Sequence, residues 1–234
     1  MSQFLQSLAD NAAFLLACLA VFAGLILIAW AAERFFLPSH RKLSPARTVS
    51  FVAIFAALGG ALMFFEIPLF FAPSFYEMDL SELPVLICTF YLGPVAGVVC
   101  EFLKVVIKLL LKGTSTAFVG DFANFAVGCA MVLPASILYH LHKSKKMALV
   151  GLAVGTLVMT VFGSAFNAYF LIPKFAELFH MPLDAIVAMG TEVNGAIHSV
   201  GTLVLFAVVP FNLLKGVVIS ALTLVLYKRV ERLF

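Results

Sequence analysis

Residues 83–112 read LPVLICTFYLGPVAGVVCEFLKVVIKLLLK, and how this stretch divides decides the fold. Its hydropathy is continuous, but Gly93-Pro94 and Gly97 interrupt it, and a proline removes one amide and clashes with the preceding turn. The reading is a tight hairpin of two helices, 83–95 and 96–111; a single long helix kinked at Pro94 is the alternative. Immediately after it, KGTSTAFVGDFANF (Lys112–Phe125) sets a polar, glycine-punctuated turn carrying Asp121 and Asn124 between two apolar runs.

The rest of the chain has the same character. Of 234 residues, 63% are hydrophobic and only 12% charged, with a mean hydropathy of +1.11. Soluble domains are about half apolar and a quarter charged, so this is an all-α integral membrane protein. A membrane span takes about 20 mostly apolar residues, and such runs fall near 12–32, 46–66, 83–95, 96–111, 119–139, 148–172 and 201–227. That predicts seven helices, two of them short.

Lysine and arginine in short loops set orientation. Three basic clusters, Arg41/Lys42/Arg47, Lys143/Lys145/Lys146 and Lys228/Arg229/Arg232, fall on one side, which is therefore cytoplasmic. Segments Phe65–Glu82, Lys112–Gly120 and Pro173–Val200 then face outward, and acidic residues gather in and beside them: Glu66, Glu77, Asp79, Glu82, Asp121, Glu177, Asp184 and Glu192. The net charge of +3 is the sum of cytoplasmic flanks and not a nucleic-acid patch. The first run lacks the positive n-region of a secretory signal, so it reads as an uncleaved helix with its N-terminus outside.

Several chemistries are excluded. No phosphate-binding GxxxxGK[ST] loop, HExxH zinc helix or GxSxG nucleophile elbow occurs. Cys18, Cys88, Cys100 and Cys129 lie inside apolar runs without metal spacing and read as small packing residues. His140 and His142 read as a solvated interfacial flank beside the cytoplasmic lysines.

Polar side chains at membrane depth cost a few kcal/mol and so face a cavity or each other. Glu101 and Lys104, three residues apart on one helix face, can neutralise themselves; Lys108 and Lys112 extend that face, and Lys112 can snorkel outward. Asn124, Asn167, Asn212 and Lys215 are harder to dismiss. Asn212 and Lys215 follow Pro210, whose missing amide leaves carbonyls for a neighbour or ligand. A single asparagine serves equally as interhelical glue, but three amides and a lysine on three spans favour a converging pocket. A second pattern is Ala53, Ala57 and Ala61 at intervals of four with Gly60 beside them, a bare helix face suited to tight bundle packing or to docking another membrane subunit.

Taken together, residues 47–229 resemble the substrate-binding S components of energy-coupling factor (ECF) vitamin transporters, and among them the riboflavin-specific members. The resemblance rests on Met78-Asp79-Leu80-Ser81-Glu82-Leu83-Pro84, Leu92-Gly93-Pro94-Val95-Ala96-Gly97, Glu101 with Lys104, Gly113 through Val119-Gly120 to Ala123-Asn124-Phe125, Asn167 with Leu171-Ile172-Pro173, and Pro210-Phe211-Asn212-Leu213-Leu214-Lys215-Gly216. Any one of these is weak; their joint order is specific.

The resemblance implies a six-helix bundle with both ends cytoplasmic and a vitamin pocket near the outer surface under the loop after its first helix. Residues 41–234 would form this domain, and residues 1–40 an extra transmembrane helix and linker. Asn167, Asn212 and Lys215 become first candidates for ligand contact, Met78, Asp79 and Leu80 the lid side, and Asn124 a lower-ranked candidate whose alternative role is to pin the outer turn. The resemblance also assigns Ala53 and Ala57 to the face for the transmembrane coupling subunit (T component), which works with two cytoplasmic ATPase subunits. Riboflavin is substrate here, with no cofactor, metal or catalytic residue expected. A carboxamide both donates and accepts, matching the uracil-like edge of an isoalloxazine, while Lys215 can donate to a ring or ribityl oxygen and Asp79 accept from ribityl hydroxyls. The rivals are another vitamin or flavin analogue on the same scaffold, an intramembrane enzyme using Glu101, Lys104 or Asp121, and a passive helix-packing scaffold. The location expected is the plasma membrane, multi-pass, in contact with lipid.

Overall fold

The computed structural model describes residues 11–37, 44–73 and 75–231. Arg41, Lys42 and Arg232 of the basic clusters lie outside the described residues.

The division at Gly93 is resolved by backbone geometry. Helix α3 (Glu82–Leu92) closes with the Gly93 amide on Thr89 O at 2.9 Å, and α4 (Pro94–Lys112) opens at once with proline in its first turn. Gly93 has φ of 115°, a conformation that L side chains rarely adopt. Two helices meet in a single-residue turn, and the kinked single helix is excluded.

The other elements follow the apolar runs. Helix α1 (Ala12–Phe35) is the most hydrophobic, with a hydropathy of 2.8. Helix α2 (Pro45–Leu62) has Pro45 in its first turn, where the lost amide costs nothing. Helix α5 (Val119–Leu141) follows the polar turn, and α6 (Lys145–Phe166) is capped by Ser144, whose Oγ accepts from Met147 N at 3.2 Å. A π turn (Asn167–Leu171) joins α6 to α7 (Ile172–Leu178) as one rod. After α8 (Leu183–Val193), α9 (Val200–Leu203) runs through a second π turn (Val204–Val208) into α10 (Val209–Glu231). Five of these rods are long and apolar enough to cross a membrane.

Two details depart from the sequence reading. The span expected at 46–66 ends at Leu62, because the chain turns into a two-stranded antiparallel ribbon, β1 (Ile67–Pro68) with β2 (Glu77–Met78), paired Ile67 to Met78 and Pro68 to Glu77. His140 is not a solvated flank: it is 1% exposed, and its Nδ1 donates to Ser136 O at 2.9 Å. The outer segment after Pro182 forms a helix of its own, α8 (Leu183–Val193).

Packing sorts the faces of α2. Phe51, Phe55, Ala56, Gly59 and Gly60 are buried, and a Cβ on Gly60 would come within 2.8 Å of Ile107, so the glycines let α4 approach. Ala53, Ala57 and Ala61 point away from the bundle and are exposed. Gly60 therefore belongs to the internal seam and not to the alanine stripe.

At the basic end the core is aromatic. Phe90 stacks on Tyr139 with centroids 4.4 Å apart and meets Tyr227 edge-on at 5.6 Å. Helix α1 lies against α4 and α5: Phe22 stacks on Phe102 at 4.2 Å, Ala29 is fully buried, and Glu33 Oε1 accepts from Val95 N at 2.9 Å. That carboxylate caps the start of α4, where amides have no helical partner. The four cysteines are free, three of them buried in the packing.

Candidate functional site

The two π turns lie on neighbouring rods at the non-basic half of the bundle. Each ends two residues before a proline: Leu171 before Pro173, and Val208 before Pro210. A proline amide cannot close the preceding turn and its ring crowds it, so the turn widens. Such π bulges are common at functional sites, and here each sits beside an amide named by the sequence.

Asn167 opens the first π turn and is 6% exposed. Its Nδ2 donates to Gly163 O at 2.8 Å, and its Oδ1 accepts from the Tyr76 hydroxyl at 2.7 Å. Asn212 stands one turn beyond the second, 5% exposed, with Nδ2 buried and unpartnered among the described residues. Gly163 joins them: a Cβ there would lie 3.1 Å from Asn212 Nδ2. The two carboxamides thus meet across a glycine. Ser164 Oγ, on the same turn of α6, is also buried without a partner.

Lys215 follows Asn212 by three residues and so shares its face. Its Nζ lies 3.1 Å from Asp79 Oδ2 and 3.1 Å from the Glu82 carboxylate. Glu82 also binds Lys104 Nζ at 3.1 Å, and Lys104 binds Glu101 at 2.7 Å. The self-neutralising pair expected on α4 is therefore one end of a longer chain, Asp79–Lys215–Glu82–Lys104–Glu101. It counts three carboxylates against two ammonium groups, all 10% exposed or less. Breaking such a buried pair on one side costs about 3–5 kcal/mol, because the surviving charge has no solvent. Glu101 gains its space from Gly128 on α5, where a Cβ would collide with its carboxylate.

Above this chain runs the 76–80 segment. Tyr76 packs on Phe211 with centroids 5.6 Å apart, and Met78 is buried in the same cluster as Ile172 and Phe211. Asp79 is held in place by the Ser81 amide on its Oδ1 at 2.8 Å. Burial would push its carboxyl up, but Lys215 and Lys104, with Ser81, hold it well below the usual carboxylate range. Leu80 is half-buried against the main core. The structure thus brings together Asn167, Asn212, Lys215, Met78 and Asp79, with Leu80 at the border.

Asn124 stands apart. Its Oδ1 is buried without a partner among the described residues, and it lies one turn before Val127, which also packs on Gly163. The nearby turn is pinned by others: Asp121 binds Lys108 at 2.6 Å and Thr114 at 2.7 Å, while Lys112 pairs with Glu66 at 2.6 Å. Asn124 is not needed to hold it.

Residues 47–227 match the family described as ECF transporter, substrate-specific component. The chain belongs to that family. It is 31% identical over 192 residues to the riboflavin transporter RibU of Staphylococcus aureus (strain TCH60), covering 81% of this chain and 94% of that protein. It is 29% identical over 170 residues to the riboflavin transporter FmnP of Bacillus subtilis (strain 168), covering 72% and 84%. A solved S component of a bacterial ECF transporter superposes with a TM-score of 0.63 at 29% identity, covering 80% of this chain and 97% of that one. The protein is accordingly a multi-pass plasma-membrane transporter component and not an enzyme.

Sequence reasoning missed three members of the site. Glu82, three residues after Asp79, was read only as an outward acid, although that spacing at a helix start invites a shared cation. Tyr76 offered no signal beyond being the hydroxyl-bearing ring of the 67–80 segment. Ser164, three residues before Asn167, was hidden among small residues.

Proposed function

We propose that the chain captures riboflavin from outside the cell and delivers it inward as the substrate-binding subunit of an ECF importer, working with a T component and two cytoplasmic ATPases. The observation that carries this reading is the meeting of Asn167, Asn212 and Lys215 beneath the 76–80 segment, in a chain whose relatives are named riboflavin transporters.

The chemistry of the donor set supports a flavin. Among the described residues, Asn212 Nδ2 and Ser164 Oγ are buried and unpartnered, and an orphaned polar group costs about 1–3 kcal/mol. Asn167 and Asn212 suit the alternating donors and acceptors of the pyrimidine edge. Lys215, already oriented by Asp79 and Glu82, can turn one of its three N–H groups to a ring oxygen, and Asp79 can accept from ribityl hydroxyls. Phe211, Met78 and Ile172 provide an apolar wall for the dimethylbenzene end. Tyr76 takes one of the two lone pairs of Asn167 Oδ1, so ligand and hydroxyl share that acceptor.

We further propose residues 41–234 as the vitamin-binding domain and residues 1–40 as an added helix and linker, a division supported by the family match over 47–227. The exposed Ala53 and Ala57 are the face for the T component, since a bare stripe lets another backbone approach closely.

Uptake of labelled riboflavin in riboflavin-auxotrophic cells tests the assignment. Uptake is expected with the chain and coupling module together and lost when either is omitted. Ala57→Leu should abolish uptake while leaving riboflavin binding to the purified protein unchanged. Growth on riboflavin independent of the coupling module would reject the importer reading.

A further inference from the structure

A second polar feature lies at the opposite end of the molecule, outside everything assigned so far. Helices α6 and α10 line an open groove of about 430 Å³ there. Lys145 opens α6, and Lys228 and Arg229 stand in the last turn of α10. One turn deeper along the same helices the lining becomes Leu149, Leu224 and Val225, of which Leu149 is 55% and Val225 58% exposed. Lys228 Nζ lies 5.3 Å from the Tyr227 ring centroid, which draws its cationic head toward the groove wall.

We infer that this groove is a binding site for an anionic phospholipid of the cytoplasmic leaflet. Three features select that ligand. Among the described residues the groove is lined by Lys145, Lys228 and Arg229 and by no carboxylate, so it takes a negative headgroup. Its polarity changes from cationic to apolar along the helix axes, the sequence of a phosphate followed by acyl chains. The Lys/Arg distribution places this end at the cytoplasmic surface, where each basic residue near an anionic membrane adds about a fivefold preference. The N-terminus of α6 adds a partial positive charge beside Lys145. A soluble anion would satisfy the cations but leave Leu149 and Val225 unexplained.

The full chain in nanodiscs provides the test. In a Trp30→Phe background, Leu149→Trp places a single tryptophan in the groove, and its quenching by spin-labelled phosphatidylglycerol is compared with that by spin-labelled phosphatidylcholine at equal mole fraction. The anionic lipid should quench about threefold more strongly, consistent with a partly screened set of three cations. Lys145→Gln with Arg229→Gln should bring the two lipids to parity with an unchanged far-ultraviolet circular dichroism spectrum. Should that variant fail to fold, 0.5 M salt on the parent protein should remove the preference instead. Equal quenching by both lipids in the parent, or a preference surviving both charge removal and salt, overturns the site.

Discussion

The two halves of the bundle handle polarity in opposite ways. Toward the basic end, Phe90, Tyr139 and Tyr227 interlock, and the buried Thr89, Ser136 and Thr223 hydroxyls are supplied internally: Thr89 binds Ser136 at 2.8 Å, and Thr223 binds Ile219 O at 2.8 Å. Toward the other end, five ionisable side chains are buried in one chain of contacts, and Asn212 Nδ2, Ser164 Oγ and Asn124 Oδ1 are buried without partners among the described residues. Folding alone does not favour such an arrangement, because each orphaned group costs about 1–3 kcal/mol. The difference teaches where folding and function part company: one half is closed as a scaffold, and the other holds the side chains of the proposed site.

Substitutions should separate the halves. Phe90→Ala, in the finished half, should lower stability by about 3–5 kcal/mol, as large aromatic truncations do in a tight core, with riboflavin affinity of the folded fraction unchanged. Thermal unfolding read beside titration checks both. Lys215→Met should lower stability by about 3–5 kcal/mol, because Asp79 and Glu82 are left buried without their cation, and should weaken riboflavin binding at least about tenfold through the lost hydrogen-bond donor. Asn212→Ala should cost about 10- to 100-fold in affinity, equivalent to about 1–3 kcal/mol for a buried hydrogen-bonding group, with little loss of stability, because its amide has no partner to lose. If Asn212→Ala instead destabilised the protein and left affinity alone, the comparison between halves would fail.

Smaller effects sharpen the same contrast. Tyr76→Phe frees the second lone pair of Asn167 Oδ1 and should tighten riboflavin binding by up to about fivefold, the worth of one neutral hydrogen bond. The pH dependence follows from Asp79, whose depressed pKa means its ion pair contributes stability above the unfolded carboxylate range and loses it as pH falls. The Tm difference between the parent and Asp79→Asn should therefore stay constant from pH 8 to about 5 and shrink below about pH 4.

The helices and their polarity were legible because both rest on local properties. Apolar runs of membrane length, Gly93-Pro94 and the loop lysines are each readable in a short window. Asn167, Asn212 and Lys215 were legible because amides and ammonium groups are expensive in lipid and so announce themselves. The linkage among them was not legible. Nothing in the local sequence says that Glu82 bridges Lys104 and Lys215, since that depends on α3, α4 and α10 meeting in space. Tyr76 was invisible for the same reason, its partner being 91 residues away. The π turns had a readable trace after all, in the recurrence of proline two residues past each. His140 was misread because a histidine beside exposed lysines resembles a flank until α5 is seen to bury it.

The most direct test of the ligand account is calorimetric titration of riboflavin into the purified protein and into Asn167→Ala, Asn212→Ala and Lys215→Ala. The parent should bind one equivalent with measurable heat, and all three variants should bind at least about tenfold more weakly. Silence with riboflavin while another vitamin gives heat, or three variants that bind as tightly as the parent, would contradict it.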